Sequence, residues 1–89
     1  MNVLVDKSFE IDINKLQDVK LRAKIADVIE LMINAQQLKD IKSVKKLKGG
    51  HLFFRIKIQD YRIGLIYEDD KIILVRFLHR KDIYQFFPD

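Results

Sequence analysis

The chain contains no cysteine, so neither a disulfide framework nor a thiolate metal site can form. It has two histidines, His51 and His79, too far apart in sequence to suggest a metal site of their own. No metal and no cofactor is therefore expected. No apolar run approaches the roughly 18 residues that a membrane span requires, and Met1–Asp6 lacks the basic-then-apolar order of a signal peptide. These features point to a cytoplasmic protein with no membrane partner. Also missing are a catalytic carboxylate pair, a glycine-rich phosphate loop and a nucleophile elbow. Asp60, Glu68, Asp69 and Asp70 all sit where turns favour acids. Any catalysis must come from cations together with Tyr or His.

What is present is apolar residues and cations. At 89 residues and 48% hydrophobic content, the chain reads as one folded domain over 1–89, with no repeat, linker or low-complexity segment. The net charge is +4, and the excess lies in one place. Residues 39–62 carry eight Lys/Arg against two Asp/Glu, whereas the segments on either side each carry one net negative charge. A basic surface of this kind attracts polyanions or an acidic protein partner. By itself, the Lys42–Lys48 run is better explained by a solvated loop.

Val3–Val5 reads as a short strand, apolar enough to be buried. Asp6 or Ser8 could cap a first helix carrying Phe9, Ile13 and Leu16, interrupted at Gln17–Asp18. Leu21, Ile25, Val28, Ile29, Met32 and Ala35 then form one stripe of a longer helix, and Leu38, Ile41 and Val44 continue along the core edge. Lys48–His51 breaks the pattern. Phe54, Ile56 and Ile58 alternate with Phe53, Arg55 and Lys57 as in a half-buried strand. Tyr61–Tyr67 forms the next strand, Glu68–Lys71 a hairpin turn, and Ile72–Leu78 a strand covered on both faces, with Arg76 its one charge. Arg80–Phe87 reads as an amphipathic helix stopped by Pro88. The predicted class is α+β in the order β-α-α-β-β-β-α. Its antiparallel meander has the helical hairpin on one face and cations on the other.

Arg55 and Lys57 project from one strand face, with Arg62 just across a short turn. They form either a phosphate cradle or a wetted strand surface. His79 and Arg80 close the last strand, where Arg80 could grip a phosphate. His79 could serve as an acid or base, but a histidine beside an apolar strand is more often structural. Tyr84 lies one helical turn past Arg80, placed to stack on a base, move a proton or simply pack on the sheet. Gathered at one concave surface, these residues would suit cleavage of RNA by its own 2′-hydroxyl, where cations stabilise the charge on pentacoordinate phosphorus.

Lys46–Gly49, Phe54–Ile58, Asp60–Ile63 and His79–Tyr84 together resemble the RelE/ParE toxin superfamily of bacterial toxin–antitoxin systems, and the resemblance spans nearly the whole chain. It implies a RelE-like, microbial RNase-like fold and a metal-independent endoribonuclease, an mRNA interferase that cuts messenger RNA in the ribosomal A site and inhibits translation. The implied partners are a cognate antitoxin, the ribosome and mRNA. By the same resemblance, Lys57 or Tyr84 helps deprotonate the 2′-hydroxyl, Arg62 holds the phosphate, and Arg80 stabilises the transition state or leaving group. His79 is a further catalytic candidate. Arg55 stands where relatives often carry Lys, so it binds phosphate without acting as a base; Lys45, Lys46 and Lys48 add RNA-binding charge. Two alternatives follow: a ParE-like inhibitor of DNA gyrase that is not a nuclease, and a non-catalytic RNA-binding module.

Overall fold

A computed structural model describes residues 1–49 and 52–88. Of the expected break at Lys48–His51, Gly50 and His51 lie outside the described residues. The elements are β1 (Asn2–Val5), α1 (Lys7–Asn14), α2 (Val19–Asn34), a single 3₁₀ turn at Leu38–Asp40, β2 (Lys45–Lys46), β3 (Phe53–Ile58), β4 (Tyr61–Glu68), β5 (Lys71–His79) and α3 (Ile83–Phe86).

Both long helices start at aspartates. The Asp6 side chain accepts the Ser8 N–H at 3.1 Å, and that of Asp18 accepts the Leu21 N–H at 3.1 Å. Each satisfies an amide that the first helical turn leaves without a partner. The Ser8 hydrogen bonds hold the Asp6 carboxyl below its ordinary value. The stripe on α2 packs as its spacing predicts: Leu21, Ile25 and Met32 are buried, together with Phe9 of α1.

The five strands form one sheet in the order β1-β5-β4-β3-β2. β3, β4 and β5 make the predicted antiparallel meander. The β4–β5 turn places Asp69 and Asp70 at φ of 51° and 60°, the left-handed pair of a tight hairpin. Ile56, Ile58, Ile63, Leu65, Ile72, Leu74 and Phe77 face the helices and form the core with them.

Three expectations are corrected. The first strand is not buried: β1 is an edge strand running parallel to β5, with Leu4 and Val5 close to half exposed. Its partner on one side only leaves its outer edge open to solvent. The lysine run is not all loop, because Lys45 and Lys46 pair with Arg55 and Phe54 as a two-residue strand. The terminal helix is one turn, Ile83–Phe86, rather than Arg80–Phe87. Residues 80–82 form a turn in which the Asp82 N–H donates to the His79 carbonyl at 2.8 Å.

Candidate active site

Directly opposed residues of neighbouring strands share a sheet face. On the face away from the helical hairpin, Lys57 opposes Arg62, which opposes Leu78; Arg55 opposes Gly64, which opposes Arg76. Three of the predicted cations, Arg55, Lys57 and Arg62, therefore stand side by side.

Each is held differently. Arg62 folds back over the β3–β4 turn, its Nη1 donating to the carbonyls of Gln59 and Tyr61 at 2.9 Å each. Gln59 presents its carbonyl from a left-handed backbone with φ of 56°. The Arg55 Nη1 donates to the Ser43 carbonyl at 2.5 Å, while its buried Nε has no hydrogen-bond partner. The hydroxyl of Ser43 bridges the backbone of Lys57, accepting from its N–H and donating to its carbonyl, both at 3.2 Å. That bridge finishes the β3 edge where two-residue β2 stops short, and leaves the Lys57 side chain exposed.

Arg80 is anchored at the same end of the sheet. Its backbone N–H donates to the Asp60 carbonyl at 2.7 Å, and its Nε lies 4.0 Å from the Asp60 carboxylate. Both side chains are mostly exposed, so this ion pair contributes little stability and leaves the guanidinium free to bind an anion. Because Arg80 precedes α3, it is not joined to Tyr84 by helical spacing. Tyr84, 57% exposed, instead lines a groove of about 570 Å³ with Lys45, Lys46, Lys48, Phe87 and Pro88. A ring beside three lysines above an apolar floor can take a nucleobase with its phosphates. A larger trough of about 800 Å³ runs beside α2, where Lys57 is its one link to the cation face.

His79 does not join the cations. It opposes Tyr61 on the helix-packed face, with its ring edge-on to Tyr61 at 5.4 Å and its Nδ1 accepting the Lys81 N–H at 3.1 Å. The cause is a β-bulge. The pairing shifts register between Gly64 and Leu65, so that Val75 is an extra residue in β5. Strict alternation from Ile72 would put His79 beside Arg62, and the extra residue inverts the faces beyond it.

Sequence reasoning passed over Asp12 and gave Arg76 no role. Asp12 accepts from the Nε of Arg76 at 2.8 Å, from its Nη2 at 3.1 Å and from the Phe77 N–H at 2.9 Å. A lone arginine in the apolar run of β5 was the available signal. The other was Asp12 between two apolar residues of α1.

Comparison with known proteins agrees with this fold. Residues 3–84 match the family model described as the ParE toxin of the type II toxin–antitoxin system parDE. "Toxin RelE3" of Methanocaldococcus jannaschii is 42% identical over 89 residues, covering 99% of this chain and all of that protein. The crystal structure of a RelB–RelE antitoxin–toxin complex from Methanococcus jannaschii superposes with a TM-score of 0.80 at 38% identity, covering 96% of this chain and 99% of that one. A copper-bound mutant toxin from Helicobacter pylori shares the fold, with a TM-score of 0.69 at 22% identity over 93% of this chain and 98% of its own.

Proposed function

The chain belongs to the RelE/ParE toxin superfamily of type II toxin–antitoxin systems, and from that premise we propose that it is a ribosome-dependent mRNA endonuclease. The observation that carries this reading is the direct pairing of Lys57 with Arg62, one row from Arg55, on the face away from the helical hairpin. Like charges placed directly across a sheet are destabilising. A merely solvated strand surface has no reason to keep them together, whereas a phosphate placed between them turns the repulsion into binding.

In the proposed reaction, Arg55 and Arg62 hold the scissile phosphate through guanidinium hydrogen bonds. Lys57, once its own ammonium proton has passed to solvent, or Tyr84, once its phenolic proton has done so, takes the proton of the neighbouring 2′-hydroxyl as its oxygen attacks phosphorus. The bond to the 5′-oxygen breaks, leaving a 2′,3′-cyclic phosphate and a free 5′-hydroxyl that collects a proton. Arg80 stabilises the charge that builds on phosphorus or on the leaving oxygen. Lys45, Lys46 and Lys48 steer the RNA backbone, with no metal required by this scheme. His79 is left with packing against Tyr61 as its role. The solved relative is a complex of RelE with RelB, and we extend that pairing to this chain: a cognate antitoxin with an acidic or amphipathic segment covers the basic face. The proposed toxin acts as one domain over residues 1–89 in the cytoplasm, with the ribosome and mRNA as its other partners. Among the described residues, no helix is long and apolar enough to cross a membrane.

A second reading rests on the matching family model, whose description is that of a ParE toxin: a non-nuclease inhibitor of DNA gyrase. One experiment separates the two. Wild-type protein and the Arg62→Ala/Arg80→Ala variant are expressed in turn, and transcript cleavage is compared with plasmid supercoiling. Cleaved transcripts that become intact in the variant support the nuclease. Intact transcripts with lost gyrase activity sink it.

A further inference from the structure

Beyond its pairing with β1, the edge of β5 is taken over by α1. The last pair of the parallel ladder is Val5 with Leu74. From there the Asp6 N–H donates to the Leu74 carbonyl at 2.8 Å, the Ser8 hydroxyl donates to the Val75 carbonyl, and Asp12 receives the Phe77 N–H. Asp12 is the one charged residue in the buried set among the described residues. Its side chain is 5% exposed, against 26% for the Arg76 it grips.

A buried ion pair is weak evidence of stabilisation, because desolvating both charges offsets most of their attraction. What the fork-to-carboxylate geometry does fix is the direction of the guanidinium. Here the guanidinium carbon of Arg76 lies 5.6 Å from the centre of the Phe86 ring. Phe86 is the last residue of α3 and is half exposed, so Arg76 supplies a contact that burial alone does not.

α3 has four residues, far fewer than a helix needs to hold itself together. Side chains must therefore fix its orientation. Ile83 and Phe87 are buried, and Phe87 meets Phe53 edge-on at 5.8 Å. These two lie nearly in line along one side of the helix, and by themselves they allow it to roll. At roughly 100° per residue, Phe86 and Tyr84 project in directions about 200° apart. Arg76 holds Phe86 on one flank while Tyr84 faces the lysine groove on the other. A change in roll that frees Phe86 moves Tyr84.

We infer that Arg76, locked by Asp12, is a positioning residue that fixes the roll of α3 and so aims Tyr84 over the lysine groove. The consequence for cleavage rests on the nuclease reading, in which Tyr84 touches the RNA. The structural consequence does not rest on it.

The test has two arms. The chain has three tyrosines, so protein labelled with ¹³C in the tyrosine rings gives three ring signals to assign. Arg76→Lys, which keeps the charge and loses the planar fork, should shift or broaden the Tyr84 signal and leave Tyr61 and Tyr67 in place. An unchanged Tyr84 signal overturns the inference. If all three signals move, Asp12→Asn, the smaller change, is judged by the same criterion. In the second arm, single-turnover cleavage of ribosome-bound mRNA is measured in a double-mutant cycle with Tyr84→Phe. Arg76→Lys should slow cleavage roughly 10–100-fold when Tyr84 is present, and hardly at all in the Tyr84→Phe background. Equal losses in both backgrounds mean that Arg76 acts independently of Tyr84 and overturn the inference. A wild type that cleaves nothing sinks the nuclease reading, and the ring signals alone then decide.

Discussion

Lys57 and Arg62 are direct cross-strand partners on β3 and β4, two like charges on one face of the sheet. Neither has an acidic partner in the ion pairs formed among the described residues. Arg62 is steadied by two backbone carbonyls, which orient its guanidinium without neutralising it.

Removing that charge should separate activity from stability. Arg62→Ala and Arg80→Ala should each lower single-turnover cleavage by roughly 10²–10³-fold, the usual loss when preorganised charge at a developing oxyanion is deleted. Thermal melting should change little for Arg80→Ala, because its one ion pair is solvent-exposed and 4.0 Å long. An Arg80→Ala protein that fails to fold would contradict the placement of Arg80 at an exposed strand end.

His79 provides the opposite case. It lies on the helix-packed face beside Tyr61, away from the phosphate cradle. His79→Ala should slow cleavage by less than the roughly 10²–10⁴-fold that loss of a general acid or base produces. A loss within that range would restore His79 to the chemistry.

Gly64 lies beneath α3. A Cβ added there would meet Cδ2 of Phe87 at 2.5 Å and Cγ at 2.6 Å, too close for either side to accommodate without movement. Gly64→Ala should therefore destabilise by about 1–3 kcal/mol through overpacking, measured by denaturant melts, and lift Phe87 away from the sheet. Because Phe87 anchors the segment that carries Tyr84, cleavage should fall along with stability.

The cap on α1 gives a pH signature. The Asp6 carboxyl is lowered by the side-chain and backbone hydrogen bonds of Ser8, so the folded state favours its ionised form. The resulting stabilisation is present above the ordinary value of 3.8 and is lost as pH falls through the lower folded value. Asp6→Asn should narrow the difference in melting temperature between pH 6 and acid conditions relative to wild type. Identical acid sensitivity in the two proteins would dismiss Asp6 as a contributor.

Much of this was written locally. The alternation of Phe54, Ile56 and Ile58 with Arg55 and Lys57 placed the cations on one face, and the stripe from Leu21 to Met32 placed α2 on the other. Both patterns come from fixed side-chain periods, and neighbouring residues suffice to express them. Arg62 on the cation face also follows from local parity. The length of the final helix did not. Arg80, Lys81 and Asp82 are compatible with a helix, but the His79–Asp82 turn ends the strand first. The parallel seating of β1 was hidden too, because its partner β5 lies some seventy residues away.

What the sequence determined alone is the pairing of opposed surfaces, apolar against the helices and cationic toward solvent, together with membership of the toxin superfamily. The tertiary structure decided which residues belong to which surface at the far end of β5. Val75 is one residue too many for the ladder with β4. That single insertion turns His79 inward and Arg76 outward, toward Asp12 and Phe86. Side-chain parity is a two-fold repeat, so one unpaired residue inverts everything after it. No local pattern announces where the partner strand forces that slip.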